Sequence, residues 1–413
     1  MHVLIAGGGV AALETLLALR DMAEDRLDVE LLAPKPEFSY RPLAIAEPFG
    51  LGETRRYDLA GIAQEQGAAV HIGTLAAVES DRHRVRSGQG GELDYDLLVV
   101  AVGAKNVPSL GGAVTVLGPG YTGRFRTILK QLEEHRICRV TFAVPPGVTW
   151  PLPLYELALM TAGYVAEHLL ERSRDRVELR LVTPESAPLE LFGAKASAAV
   201  SALLEERGIS VHTGLYPSRV EDGSLTVIPA EHPPVPADKV VTLPSLRGPR
   251  LSGLPHDADG FIPVDLHGLV QGEQDVYAAG DATAFPIKQG GIACQQADAV
   301  AEAIAARVGA PVSPQPFHPV LRGLLLTGAT PRYMRAEVGG GRGEDWQLSD
   351  HALWWPPSKI AGRYLSPYLG VHHDQLETRG GVPIEVELEA HPAPRFTHRA
   401  ILTQEGGLVT PEA

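Results

Sequence analysis

His2-Val-Leu-Ile-Ala-Gly-Gly-Gly-Val-Ala-Ala-Leu-Glu14 opens the chain, and the fold is decided there. Val3 to Ala6 form the short apolar run of a parallel strand buried on both faces. Gly7, Gly9 and Ala12 follow in the G-x-G-x-x-G/A spacing. In that spacing the first glycine permits a tight turn, the second lets the backbone approach a diphosphate, and the small third residue lets a helix pack on the strand. Leu13, Leu16, Leu17 and Leu19 then carry a helical apolar stripe, so the helix begins where its free amides can hold an anion. A glycine-rich turn alone is weak; one set between a strand and a helix is specific.

The rest of the chain fits a large α/β protein. Its 413 residues are 44% hydrophobic and 21% charged, enough for two or three domains with ample cores. The net charge of -14 argues against nucleic acid and against electrostatic docking on anionic lipid. Cys138 and Cys294 are the two cysteines and stand far apart, which excludes a CxxC pair and a zinc cluster. His372, His373 and Asp374 lack a further ligand at recognisable spacing, so no metal site is expected. No signal peptide or run of about 18 apolar residues is found, and a cytoplasmic location is expected.

Val29 to Leu32 form the next strand, and the residue closing it in a dinucleotide site is usually an acid that holds the adenosine ribose. Here it is Ala33, followed by Pro34 and Lys35, with Glu30 misplaced inside the strand. Phe38 to Leu43 are expected to be an irregular aromatic loop, able to line a flavin ring or simply to pack. A helix is expected over Asp58 to Gly67, a strand at Ala69 to Ile72 continuing to Leu75, and a hairpin over Arg82 to Asp94. Tyr95 to Ala104 hold a second buried strand.

A second α/β unit follows, with strands at Arg139 to Val144, Val177 to Val182 and Gly208 to Val211 and helices at Tyr155 to Leu170 and Ala194 to Glu206. Its first turn carries Pro145 and Pro146 where glycines would stand. Proline has no N–H, so this turn cannot supply the donors that cradle a diphosphate. Farther on, a short strand delivers Gly280 and Asp281, whose carboxylate can accept hydrogen bonds from a ribityl chain. A helix opening after Gly291 can place its positive end against an electron-rich flavin edge.

With the Gly7/Gly9/Ala12 turn, the Asp96 to Gly103 strand and Val276-Tyr-Ala-Ala-Gly-Asp281 in hand, the chain resembles the pyridine-nucleotide-disulphide oxidoreductase superfamily over residues 1 to 310. Within it the chain is most similar to the sulfide:quinone oxidoreductases, through Thr183-Pro-Glu-Ser186, Phe192-Gly193 and the Tyr155-Glu156 pair. The resemblance implies an α/β fold of two Rossmann-like domains with a C-terminal cap. The expected limits are 1–110 and 246–310 for the FAD-binding domain, 111–245 for a second domain with a degenerate turn, and 311–413 for the cap and tail. It implies an FAD cofactor held by Gly7, Gly9, Val10, Ala11, Ala12, Ala33, Lys35, Arg41, Pro42, Leu75, Ala101, Gly103, Gly280, Asp281, Lys288, Gly291, Ile292 and Ala293. In that family the residue at the position of Ala33 is often not acidic.

The chain departs from the family at the chemistry. A pair of cysteines beside the flavin oxidises sulfide there; here the upstream position reads Val148-Thr-Trp-Pro151. Cys294 is expected in the helix near the flavin, as a packed residue before a nucleophile. The expected activity is therefore an FAD-dependent oxidoreductase passing electrons from a small donor to a quinone or other small acceptor. An NAD(P)H dehydrogenase and a flavin-binding scaffold without turnover are the alternatives. Leu353 to Leu369 concentrate aromatics, with Ile360, Tyr364 and Leu365 on one helical face until Pro367. A quinone pocket with peripheral contact at the inner face of a membrane, a homodimer contact, or a packed cap each explains this segment. After Val371 the chain turns polar, with a strand-like piece at Ile384 to Leu388.

Overall fold

The computed structural model of the chain describes residues 1–118, 120–328 and 358–370 in full. Beyond them it describes the backbone of the strands Tyr333–Glu337, Asp345–Ser349, Gly381–Glu387, Ile401–Leu402 and Leu408–Val409 and the helix end at 371–372. Trp354, Trp355, His373 and Asp374, singled out in the sequence, lie outside the described residues.

The opening strand His2–Ala6 is the centre of a five-stranded parallel sheet. On one side it pairs with Asp28–Ala33, which pairs in turn with Ala69–Ile72. On the other it pairs with Leu97–Val100, and the sheet ends on Val276–Ala278. Four of the five strands therefore come from the first hundred residues and the fifth from much later. Leu97–Val100 are buried without exception, as both-face coverage requires. The opening helix Val10–Ala23 and the late helix Gly290–Arg307 pack against one another on this sheet, through Leu13, Leu16, Ala297, Val300 and Ala301.

A second five-stranded parallel sheet is built around Arg139–Ala143, with Glu178–Val182 and Ile209–His212 on one side and Lys239–Thr242 and Val114–Thr115 on the other. The chain leaves the first sheet along Lys105–Val107 and returns along Ser245–Arg247, and these two segments pair antiparallel. One apolar core spans both units, joining Ile45 and Ala46 to Phe125, Tyr155 and Leu159 and to Ile287 and Ile292. The later strand Val320–Leu326 pairs with Gly381–Glu387, where the alternating piece near Ile384 was expected.

Two local expectations are corrected. Glu37–Tyr40 is a strand, paired antiparallel with Arg55–Asp58, and Phe38 stacks on Tyr57 at 5.8 Å. The partner strand lies beyond any local signal. The helix near Tyr364 begins at Leu365 and not at Ile360, so Pro367 sits in its first turn, where a missing N–H is tolerated. Its N-terminus is held by a residue of the opening helix, since buried Glu14 accepts from the amides of Tyr364 at 2.9 Å and Leu365 at 2.7 Å.

Candidate functional site

A cavity of about 520 Å³ opens at the carboxyl ends of the first sheet's strands. Its size lies within the range of small-molecule and cofactor sites. Gly7, Gly9, Val10 and Ala11 line it from the first strand's turn, Lys35 and Arg41 from beyond the second strand, and Leu75 from beyond the strand Ala69–Ile72. Ala101 and Gly103 reach it from the end of Leu97–Val100, and Gly280, Asp281 and Ala293 from the late strand and helix. Twelve of the residues expected from the sequence thus meet in one space, drawn from separated stretches of the chain.

The turn explains itself physically. Gly7 has φ of +149°, and a Cβ there would stand 2.3 Å from the carbonyl oxygen of Ala101, so the two strand ends touch backbone to backbone. A Cβ added at Gly9 would have nothing within 4 Å, which leaves that place open to a ligand. Gly9 is also the N-cap of the opening helix and offers no side-chain acceptor, so the first-turn amides at Val10 and Ala11 keep their donors free beside the cavity. Lys35, Arg41 and Lys105 bring positive charge to the same space. In the same cavity, no donor among the described residues caps the Asp281 carboxylate. Burial pushes this carboxyl above its usual range, and the charge of Lys288 pulls it back. Free amides and an uncapped acid in one cavity are the groups that a diphosphate and a polyhydroxylated chain require, and the residues fit a flavin dinucleotide.

Six expected residues do not line the cavity. Ala12 is fully buried against the sheet, and Ala33 is the buried neighbour of Gly8, 2.9 Å from where a Cβ would stand. Pro42 is half-buried beyond Arg41. Gly291 and Ile292 belong to the first turn of the late helix, which begins at Gly290, two residues earlier than expected. There Gln289 caps the amide of Ile292 at 2.8 Å, so that donor is already used. Lys288 turns away, placing its Nζ 3.9 Å from the centre of the Phe261 ring and donating to the carbonyl of Thr283. Sequence reasoning missed Glu37, Lys105, Pro249 and Leu251, which also line the space. Lys105 opens the segment Lys105–Val107, just beyond Gly103. Pro249 and Leu251 arrive on the return segment and carried no signal.

The second sheet repeats the order of four of the first sheet's strands, with an earlier segment at its edge and a different turn. Its helix Leu152–His168 is capped by Pro151 and has Pro153 in its first turn. The Leu154 amide is turned back on Pro151 at 2.9 Å. Prolines therefore remove two donors and the chain consumes a third, where the opening helix presents its own to the cavity. Glu185, which ends the neighbouring strand's Thr-Pro-Glu phrase, is already engaged. Its carboxylate accepts from Tyr155 at 2.6 Å and from Thr183 at 2.8 Å, and burial holds it up to about 7.

Cys294 is fully buried on the side of the late helix that faces Glu14, away from the cavity that its neighbour Ala293 lines. Burial pushes its thiol well above the usual range, which opposes the thiolate that nucleophilic chemistry needs. Cys138 lies before the first strand of the second sheet, its amide donating to Asp238 at 2.9 Å. Two parallel sheets, a glycine turn at the first and an acid in the same cavity define a two-unit dinucleotide-binding flavoprotein.

Comparison with known proteins agrees. Residues 1–303 match the model of the pyridine nucleotide-disulphide oxidoreductase family, and the chain belongs to that family of FAD-dependent oxidoreductases, with FAD as its cofactor. A sulfide-quinone reductase of Aquifex aeolicus is 26% identical over 262 residues, a match spanning 60% of this chain and 60% of that protein. The ferredoxin reductase component of a chlorobenzene dioxygenase from Cupriavidus sp. is 27% identical over 335 residues, 75% of each. The crystal structure of the sulfide:quinone oxidoreductase from Aquifex aeolicus superposes with a TM-score of 0.69 at 21% identity, covering 79% of this chain and 81% of that one.

The positions of the two thiols make a direct prediction. A Cys138→Ser, Cys294→Ser double variant should keep its FAD and reduce it, in anaerobic stopped flow, as the parent does. Loss of flavin reduction with FAD still bound would show that the thiols are part of the chemistry.

Proposed function

We propose that the chain is an FAD-dependent oxidoreductase that takes electrons from a small donor other than NADH or NADPH, without a cysteine pair, and passes them to a quinone or another small acceptor. The isoalloxazine supplies the redox chemistry when bound, and the protein supplies binding, orientation and charge. In this reading the Gly7 to Ala11 turn and the amides of the opening helix hold the diphosphate, and Lys35, Arg41 and Lys105 offset its charge. Asp281 accepts a hydroxyl of the ribityl chain and so fixes the flavin end.

One observation carries the choice of donor: in the turn at 145–153, Pro145, Pro146, Pro151 and Pro153 have no N–H to offer a dinucleotide, and the amide of Val148 is bonded within the turn. Glu185 supports it, since one oxygen of its carboxylate already accepts from both Tyr155 and Thr183. The similarity to ferredoxin reductases favours the rival reading, in which NAD(P)H reduces the flavin through an altered grip. The likeness to sulfide:quinone oxidoreductases supports a quinone acceptor, met by peripheral contact with a membrane. Among the described residues no helix is long and apolar enough to cross one.

An anaerobic panel of NADH, NADPH, sulfide, thiols and quinols, followed by bleaching of the flavin band, tests the proposal. NADH and NADPH at micromolar concentration should leave the flavin oxidised while one of the other donors bleaches it. Rapid reduction by NADH would overturn the proposal and establish the rival.

A further inference from the structure

Lys288 is absent from the cavity lining, yet it is a half-buried cation whose Nζ donates to the carbonyl of Thr283, two residues beyond the acid that lines the cavity. The turn that carries Asp281 does not need it for support. Gly280 donates to Gln296 at 2.8 Å, Thr283 Oγ1 donates to the Gly280 carbonyl at 3.0 Å, and Ile262 donates to the Ala282 carbonyl at 2.9 Å. Ala284 returns a bond to Ile262 at 2.7 Å. With the turn so braced, an apolar side chain on Phe261 would fill the same space and avoid the cost of burying an ammonium.

We propose that Lys288 is a positioning residue for the cofactor: held on Phe261 and Thr283 outside the cavity, it supplies the counter-charge that lets Asp281 stand as a carboxylate in the cavity lining and accept a ribityl hydroxyl. This rests on the reading that the cavity holds FAD. The charged groups acting on Lys288 are Asp281, on the turn, and Asp257, on the segment packed beneath it. Asp257 also accepts from the amide of Phe261 at 2.9 Å, so it has a donor of its own, whereas Asp281 has none among the described residues. Burial drives the two groups toward neutrality, Lys288 down to about 8 and Asp281 upward, and each restrains the other. Without the lysine, Asp281 takes up a proton at higher pH than it does now.

The test is the dissociation constant of FAD from deflavinated protein, titrated by flavin fluorescence between about pH 5.5 and about pH 8. The parent should bind with little change across that range. Lys288→Met should lose more FAD affinity toward pH 5.5 than near pH 8, weakening roughly tenfold or more at the acid end. Lys288→Gln, which keeps a donor for Thr283, should do the same, while Lys288→Arg should restore the flat profile. In an Asp281→Asn background, where binding is already weakened, Lys288→Met should add no pH dependence. A loss equal at every pH, no loss, or the same pH-dependent loss in the Asp281→Asn background would each overturn the proposal. Equal FAD affinity in the parent and in Asp281→Asn would instead overturn the placement of FAD on Asp281, and the lysine's part with it.

Discussion

Gly9→Asp should abolish FAD binding while leaving the protein as stable as the parent or more so. The added side chain meets no protein atom within 4 Å of its Cβ, and Gly9 has φ of -104°, an ordinary conformation for any residue. It also stands at the N-cap of the opening helix, which has no side-chain cap. Aspartate is among the preferred residues there, and capping contributes about 0.5–2 kcal/mol. The amides it would cap are those the diphosphate uses, and its charge opposes the ligand's own. FAD affinity should fall roughly a hundredfold or more, about 2.7 kcal/mol. Flavin titration of the deflavinated variant measures the first effect and urea unfolding of the apo-protein the second. Retention of FAD with parental affinity would remove the diphosphate from this turn. Gly7 provides the contrast, because a Cβ there strikes the backbone of Ala101 and would damage the fold itself.

This contrast also shows what the sequence could disclose. The turn was legible because its glycines satisfy local requirements: a strand end, a positive φ and an open helix start lie within seven residues. The parallel strands were legible because burial on both faces leaves an uninterrupted apolar run. Side-chain direction was not. Lys288 and Asp281 lie seven residues apart on an irregular segment, and only the packed position of Phe261 turns the lysine away from the cavity. Gln289 was likewise unreadable as a cap, because its role depends on a helix that starts two residues early. The spacing of Ile360, Tyr364 and Leu365 mimics a helix, but Gly362 passes so close to Glu14 that a Cβ would lie 2.7 Å from its carboxylate. That approach is a tertiary fact, set by an acid 348 positions away in the chain. Pro249 and Leu251 reach the cavity through the Lys105–Val107 and Ser245–Arg247 pairing, which no local pattern announces.

The other large effect is expected from Lys359→Met, through a buried ion pair that joins the second sheet's helix to the 358–370 segment. Glu156 is fully buried, and the Nζ of Lys359 lies 2.7 and 2.6 Å from its two oxygens. The same carboxylate accepts from the amide of Leu326 at 2.7 Å. Lys359 is itself 8% exposed, so neither charge has water to fall back on. Such a pair adds little when weighed against a hydrophobic replacement of both partners, but removing one partner strands the other and costs about 3–5 kcal/mol. Burial already pushes the Glu156 carboxyl up, with Lys359 as the main opposing influence. Losing the lysine therefore raises it further above its unfolded value of about 4.3. A carboxyl raised in the folded state is fully tolerated below its unfolded pKa and becomes destabilising as pH rises toward the folded one. Lys359→Met should accordingly lose most at about pH 8, regain part of the loss at about pH 5, and recover most of it when Glu156→Gln is added. Urea midpoints of the three proteins at both pH values decide the matter. A Lys359→Met variant as stable as the parent at pH 8 would mean that Glu156 is neutral in the native protein and that the pair holds no charge.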